Sequence, residues 1–281
     1  LEKRGLSVPD KPEGYVLKTS PEEIFIAGKD PAGLFYGMQT FQQLLIQKQQ
    51  KTFIPLIQIQ DWPAMTFRGL HIFAGKDGLE EQKNLIRWMA AHKMNHLVIQ
   101  TNHLEWETHP ELVSDMAQPK EEIRELIRYA NNHFIQVTPL MPSLSHAEWI
   151  WENGHHQDLA EDPETRYHYQ VLNPKTYELV EEIYGEIIDL FQPEFFHIGH
   201  DEVSMLDKYP FRSDSSQFSQ TELIRKDLIA LGSIFKKKNI QWMIWGDEFL
   251  HSSEGPDAGN AESVQQAAER RQMLRDLVQS G

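Results

Sequence analysis

From Thr66 onward the chain repeats a short apolar run, a polar loop and an amphipathic helix, and this repeat restricts the fold more than any other feature. Strand-like runs fall at residues 67–73, 95–100, 134–139, 195–199 and 240–245. Between them lie helical patterns at 80–92, 120–131, 177–191 and 219–237, the last opened by a capping-box pair, Ser219 and Glu222. Strands joined through helices run parallel, since antiparallel neighbours need only a tight turn. The pattern therefore predicts an α/β protein, either a (β/α)8 barrel of the TIM type or a doubly wound sheet. Long connections after the second and third strands favour the barrel, whose active-site loops vary most. Only five strands can be found, and the fifth is followed by a polar loop, 254–260, and one helix, 261–279. The sequence thus reads as a barrel cut short, and its start at Leu1 suggests trimming there too. Such a fragment is expected to expose two sheet edges and to be inactive by itself.

Residues 1–62 follow a different pattern. Residues 15–18 and 24–27 are strand-like and are separated by a Ser20-Pro21-Glu22-Glu23 turn. Asp30-Pro31 announces a helix, in which Leu34, Met38, Phe41, Leu44 and Leu45 form one apolar face. A further strand is expected over 53–59. These elements make the C-terminal part of a small α+β domain, with Pro63 at the boundary and residues 63–281 as the barrel domain.

The chemistry concentrates where the fourth strand ends, in His197-Ile198-Gly199-His200-Asp201-Glu202-Val203. Loops converge on the carboxyl ends of parallel strands, so reactive groups belong there. Adjacent carboxylates on an extended backbone point in different directions, which lets their pKa values diverge: one stays ionised while the other holds a proton. The competing reading is a solvated strand-to-helix turn with an acidic helix start. A metal shared by His197 and His200 is disfavoured, because residues three apart on a strand face opposite ways. His197 reads instead as a buried histidine orienting the carboxylates, and His200 as either a pocket residue or a loop residue. A net charge of −15 argues against nucleic acid or an anionic membrane as partner. The absence of cysteine excludes disulfides and thiolate chemistry, and no apolar run approaches the ~20 residues of a membrane span. The compartment stays open.

These residues resemble glycoside hydrolase family 20, the retaining β-N-acetylhexosaminidases, over about residues 15–250. The family's small-domain helix, roughly "aGlfyGlqTlrQLl", is matched by AGLFYGMQTFQQLL at 32–45, and its "iD.P.f.yRG" by IQDWPAMTFRG at 59–69. Its signature "HiGgDEv" is matched by HIGHDEV at 197–203, with His200 in place of the second glycine. The resemblance implies exo-acting removal of a terminal β-linked GlcNAc or GalNAc, with the substrate's acetamide oxygen as nucleophile, an oxazolinium intermediate and no cofactor. Asp201 would orient the acetamide and Glu202 would act as acid and base, which requires a raised pKa at Glu202. His146 matches the histidine ending "PeiDxPGH", Trp245 a pocket-wall tryptophan, and Asp247 and Glu248 follow it.

The departures point to a divergent, hexosaminidase D-like branch. Lys76 stands where most members have a sugar-gripping arginine. The "HwHltDdqgw" motif is replaced by QTNHLEWE at 100–107, making Glu105 and Trp106 candidate sugar contacts. The family's C-terminal tyrosine and later tryptophans would fall beyond residue 281. Trp149 and Trp151 are read as a sugar platform or as packing, and His155-His156 with Asp158, Glu161 and Asp162 as a solvated loop. Two other functions are consistent with the chain: a retaining glycosidase whose nucleophile is Asp247 or Glu248, and a sugar-binding protein that has lost turnover.

Overall fold

A computed structural model describes residues 5–205, 209–255 and 259–280. The chain divides into two compact units, one of residues 1–70, 79–97 and 125–136, the other of 71–78, 98–124 and 137–281. Among the described residues no helix is long and apolar enough to cross a membrane.

In the first unit, β1 (Tyr15–Thr19) pairs antiparallel with β2 (Ile24–Gly28). Helix α1 (Pro31–Gln43) follows, its N–H at Gly33 donating 2.8 Å to the Asp30 side chain and Pro31 holding a first-turn position where a missing N–H does no harm. Its buried face differs from the expected stripe. Gly33, Tyr36 and Gly37 are buried, whereas Leu34 and Met38 are 42% and 48% exposed. The reason is close approach: a Cβ on Gly37 would sit 2.7 Å from Ile26 Cγ2 and 3.1 Å from Tyr15 Cδ2. Tyr36 joins Tyr15 and Leu17 in the core, with Phe41 and Leu44 packed at its margin. The strand expected over 53–59 is two separate pieces. Strands β3 (Ile46–Lys48) and β4 (Lys51–Phe53) form a hairpin, and β5 (Gln58–Asp61) returns to pair with β1. Pro55 explains the gap, since it offers no N–H to a ladder.

The second sheet holds β6 (Gly69–Phe73), β7 (His96–Gln100), β8 (Gln136–Ser143), β9 (Phe195–Gly199) and β10 (Gln241–Met243), in the order β10-β9-β8-β7-β6. Helices α2 (Leu79–Ala91), α3 (Lys120–Asn131), α4 (Pro174–Phe191) and α5 (Gln220–Lys238) separate successive strands, and α6 (Val264–Ser280) follows the last. Strand order equals chain order, as in a (β/α) barrel; a doubly wound sheet reverses direction at a switch point. Caps set the helix starts. Asn173 accepts the Lys175 N–H at 3.1 Å and so opens α4 three residues earlier than its apolar spacing suggested, while Ser219 and Glu222 complete their capping box.

Strand β9 is anchored by aromatic packing. The Phe196 ring packs 4.7 Å from Tyr184 of α4 and 5.0 Å from Phe235 of α5, and all three side chains are fully buried. Tilted aromatic pairs of this kind add about 0.5–1.5 kcal/mol each beyond the area they bury. The carboxyl end of β9 is therefore held by a rigid base.

Candidate active site

Beyond β9 the backbone turns through unusual conformations. Gly199, His200 and Glu202 have φ of 68°, 68° and 54°, the left-handed region that L side chains resist. For His200 and Glu202 this stores strain on the order of 1–3 kcal/mol each. Side chains from four other segments offset it. Ser143 Oγ donates to the Ile198 carbonyl at 2.7 Å, and Ser145 Oγ donates to that of Asp201. The Glu202 N–H donates to Asp247 Oδ2 at 2.7 Å, and the Ser204 N–H to Glu248 Oε1 at 2.9 Å. Glu248 is fully buried and paired with the fully buried Arg270 of α6. His200 is also fully buried, its Nε2 3.0 Å from Oδ2 of Asp227, whose carboxylate accepts the hydroxyls of Tyr169 and Tyr177 at 2.9 and 2.7 Å.

The turn sets Asp201 and Glu202 beside one imidazole. His146 Nε2 lies 3.1 Å from Glu202 Oε2 and 3.6 Å from Asp201 Oδ2. The Tyr167 hydroxyl lies 2.9 Å from the same Nε2 and 3.5 Å from Glu202 Oε2. Burial, reinforced by the charges of Glu202 and Asp201, raises the Tyr167 phenol far above its ordinary range, so it keeps its proton as a donor. Burial also raises the Asp201 carboxyl; His146 opposes this, while Asp247 and Glu202 add to it.

Asp201 and Glu202 open onto a cavity of about 380 Å³ that Trp245, Gly246, Asp247, Leu250 and Asn260 also line. That volume lies in the range of small-molecule pockets. Trp245 supplies an indole wall, backed by the His197 ring at 4.6 Å and the His71 ring at 5.8 Å. Burial, with His71 nearby, lowers His197 to about 4, so at neutral pH it is an uncharged support. Its Nδ1 accepts the Gly199 N–H at 3.0 Å.

The structure thus gathers Asp201, Glu202, His146, Trp245 and Asp247. It corrects several other expectations. His200 is excluded from the pocket because its ring is drawn inward to Asp227. His197 buttresses Trp245 and the turn; its recorded partners are not the carboxylates. Asp247 lines the cavity, but its Oδ2 is committed to the Glu202 N–H and the Asn260 side-chain amide, the latter at 2.9 Å. Trp106 is buried and Glu105 exposed, because the loop after β7 folds back to pair Leu104 with Gln118; neither lines the cavity. Lys76 is exposed and does not line it either, and its N–H donates to the Met116 carbonyl at 2.9 Å. Trp149 and Trp151 are packing residues, each 4% exposed. Glu161 and Asp162 are buried and not solvated; Glu161 accepts the N–H groups of Phe211 and Arg212, each at 2.9 Å. Sequence reasoning missed Tyr167 and Asn260, which lie in irregular stretches, and Asp227 and Arg270, which lie on helices whose spacing does not single out a buried charge.

A carboxylate pair, an imidazole, a phenol and an indole wall beside a cavity of small-molecule size define a hydrolase-type site on a (β/α) sheet. Comparison with known proteins gives the family. Residues 4–62 match the model of glycosyl hydrolase family 20, domain 2, and residues 66–274 match that of the family 20 catalytic domain. The chain belongs to glycoside hydrolase family 20. It is 28% identical over 242 residues to a beta-hexosaminidase of Porphyromonas gingivalis, covering 70% of this chain and 30% of that protein. It is also 28% identical over 225 residues to a beta-hexosaminidase of Emericella nidulans, covering 68% of this chain and 37% of that protein. The X-ray structure of a Flavobacterium johnsoniae chitobiase superposes with a TM-score of 0.74 at 27% identity, over 83% of this chain and 39% of that one. The chain therefore spans about a third of the length of these relatives.

Proposed function

We propose that the protein is an exo-acting β-N-acetylhexosaminidase that works through its substrate's own acetamide group. The observation that carries this reading is the convergence of Asp201 and Glu202 on His146 at the mouth of a single-ring cavity walled by Trp245. Ionised Asp201 accepts the acetamide N–H and turns the acetamide oxygen towards C1. Burial disfavours the Asp201 charge, and this N–H supplies the hydrogen bond the charge requires. The oxygen bonds to C1 as the glycosidic bond breaks, Glu202 gives its proton to the leaving oxygen, and an oxazolinium ion forms. Glu202 then takes a proton from water, the water oxygen bonds to C1 from the vacated side, and the acetamide is released with configuration retained. His146 and Tyr167 hold the Glu202 carboxyl in place through both proton transfers. The indole face of Trp245 suits the apolar side of the sugar or the acetamide methyl.

The geometry disfavours an enzyme nucleophile. Glu248 is fully buried against Arg270, and Asp247 is engaged by two N–H donors. Hydrolysis of p-nitrophenyl β-GlcNAc and β-GalNAc by the full-length parent protein tests the proposal, with Glu202→Gln alongside. We expect kcat/KM to fall about 10²–10⁴-fold in the variant, and a thiazoline mimic of the oxazolinium to inhibit the parent. Turnover unaffected by the substitution, or a trapped covalent glycosyl-enzyme, overturns the mechanism.

A further inference from the structure

Away from the catalytic turn, His109, Glu111 and His156 each aim one donor atom at a common point, the three atoms all lying within 4.8 Å of one another. His109 Nδ1 is 2.9 Å and His156 Nε2 3.0 Å from the same oxygen, Oε1 of Glu111. The other nitrogen of His109, Nε2, lies 2.6 Å from Oε2 of Glu182 on α4. A neutral imidazole has a single N–H. If His109 gives it to Glu182, its Nδ1 lone pair faces a carboxylate oxygen, a contact that either a second ring proton or a metal ion between them satisfies. The outer carboxylate holding the far N–H of an imidazole is also the usual support of a metal-binding histidine.

We propose that His109, Glu111 and His156 bind a zinc ion, with Glu182 fixing the His109 ring. Two imidazoles and one carboxylate form a donor set that zinc accepts, with a fourth position left for water. Tetrahedral bonds of about 2.0–2.1 Å place donors roughly 3.3 Å apart, so the two imidazole–carboxylate spacings of 2.9 and 3.0 Å need open by only a few tenths of an ångström.

The frame is also built in advance. Asn153 Nδ2 donates to the carbonyls of Glu111 and Val113 at 3.1 and 2.8 Å, tying the loop after β8 to the loop after β7. His156 is aimed by a left-handed backbone, φ 49°. The site borders a cavity of about 280 Å³ lined also by Asp158, Lys175, Glu178 and Glu182, which leaves a path for the ion. Bound zinc would pin the two loops together.

The test is isothermal titration of zinc chloride into the EDTA-treated chain at pH 7.5, with melting followed in parallel. We expect one zinc per chain and a rise in melting temperature that EDTA reverses. His156→Ala and Glu111→Gln should abolish the saturable event. Glu182→Gln, which removes no ligand, should weaken it about 10–100-fold. No saturable binding, or one-to-one binding that survives His156→Ala and Glu111→Gln, overturns the proposal and leaves the cluster as hydrogen-bonded ion pairs.

Discussion

Burial lifts the Asp201 carboxyl above its ordinary 3.8, and the nearby His146 only partly restores it. A carboxylate whose folded pKa is raised binds more protons folded than unfolded, so stability is lost as pH rises from the unfolded value through the folded one. Above that window the full penalty is present. Asp201→Asn removes it and should raise the melting temperature at pH 7 by about 1–3 °C while abolishing acetamide orientation. The gain should shrink to nothing as pH falls towards about 4. An equal gain at both pH values would remove burial of charge as its cause. The pair was legible from its place at a strand's carboxyl end together with the likeness of residues 197–203 to the family signature, and the same resemblance marked His146 and Trp245. Tyr167 was not legible: it reaches Glu202 from an irregular stretch 35 residues upstream, and only the folded loop brings it there. His200 misled for a related reason. Its position on the motif left pocket or loop open, and a buried acid on α5, Asp227, takes its ring instead.

Helix α6 buries one charged side chain, Arg270, on the same face as Ala267 and Met273. Arg270 and Glu248 are both fully buried, and Glu248 in turn receives the Ser204 N–H and hydroxyl, at 2.9 and 2.8 Å. Removing one partner leaves an uncompensated buried charge, which typically costs about 3–5 kcal/mol. Urea denaturation should therefore show Arg270→Met destabilised by about that amount, with Arg270→Met/Glu248→Leu recovering most of it. A double variant no better than the single one would show that packing, and not charge, holds α6. Element identities from β1 to α6 were largely readable from periodicity, whereas boundaries and faces were not. Asn173 moved the start of α4, and Gly37 turned α1 so that two glycines and a tyrosine, and not Leu34 and Met38, meet the sheet. Hydrophobic spacing carries no term for how near a backbone can come.

At the scale of the molecule, the parallel sheet is unevenly protected. Strands β7, β8 and β9 are buried almost throughout, while β6 alternates between exposed and half-buried residues and β10 is exposed or half-buried. Hydrogen exchange should record this as amides in β7–β9 outlasting those of β6 and β10 by about 100-fold or more. Uniform protection across the five strands would mean that the outer two are covered in solution, by self-association or by another chain. The sequential strand order was legible because βα alternation leaves few ways to connect parallel neighbours. The grouping of residues 79–97 and 125–136 with the N-terminal unit was not, because it depends on packing between segments far apart in sequence. The braced turn after β9 has a consequence for recombination among relatives. Its restraints come from Ser143, Ser145, Asp227, Asp247 and Glu248, the last secured by Arg270. A crossover anywhere between positions 204 and 270 separates at least one brace from the residue it holds, so chimeras joined there inherit mismatched halves of a single device. Crossovers within residues 1–62 leave that device whole.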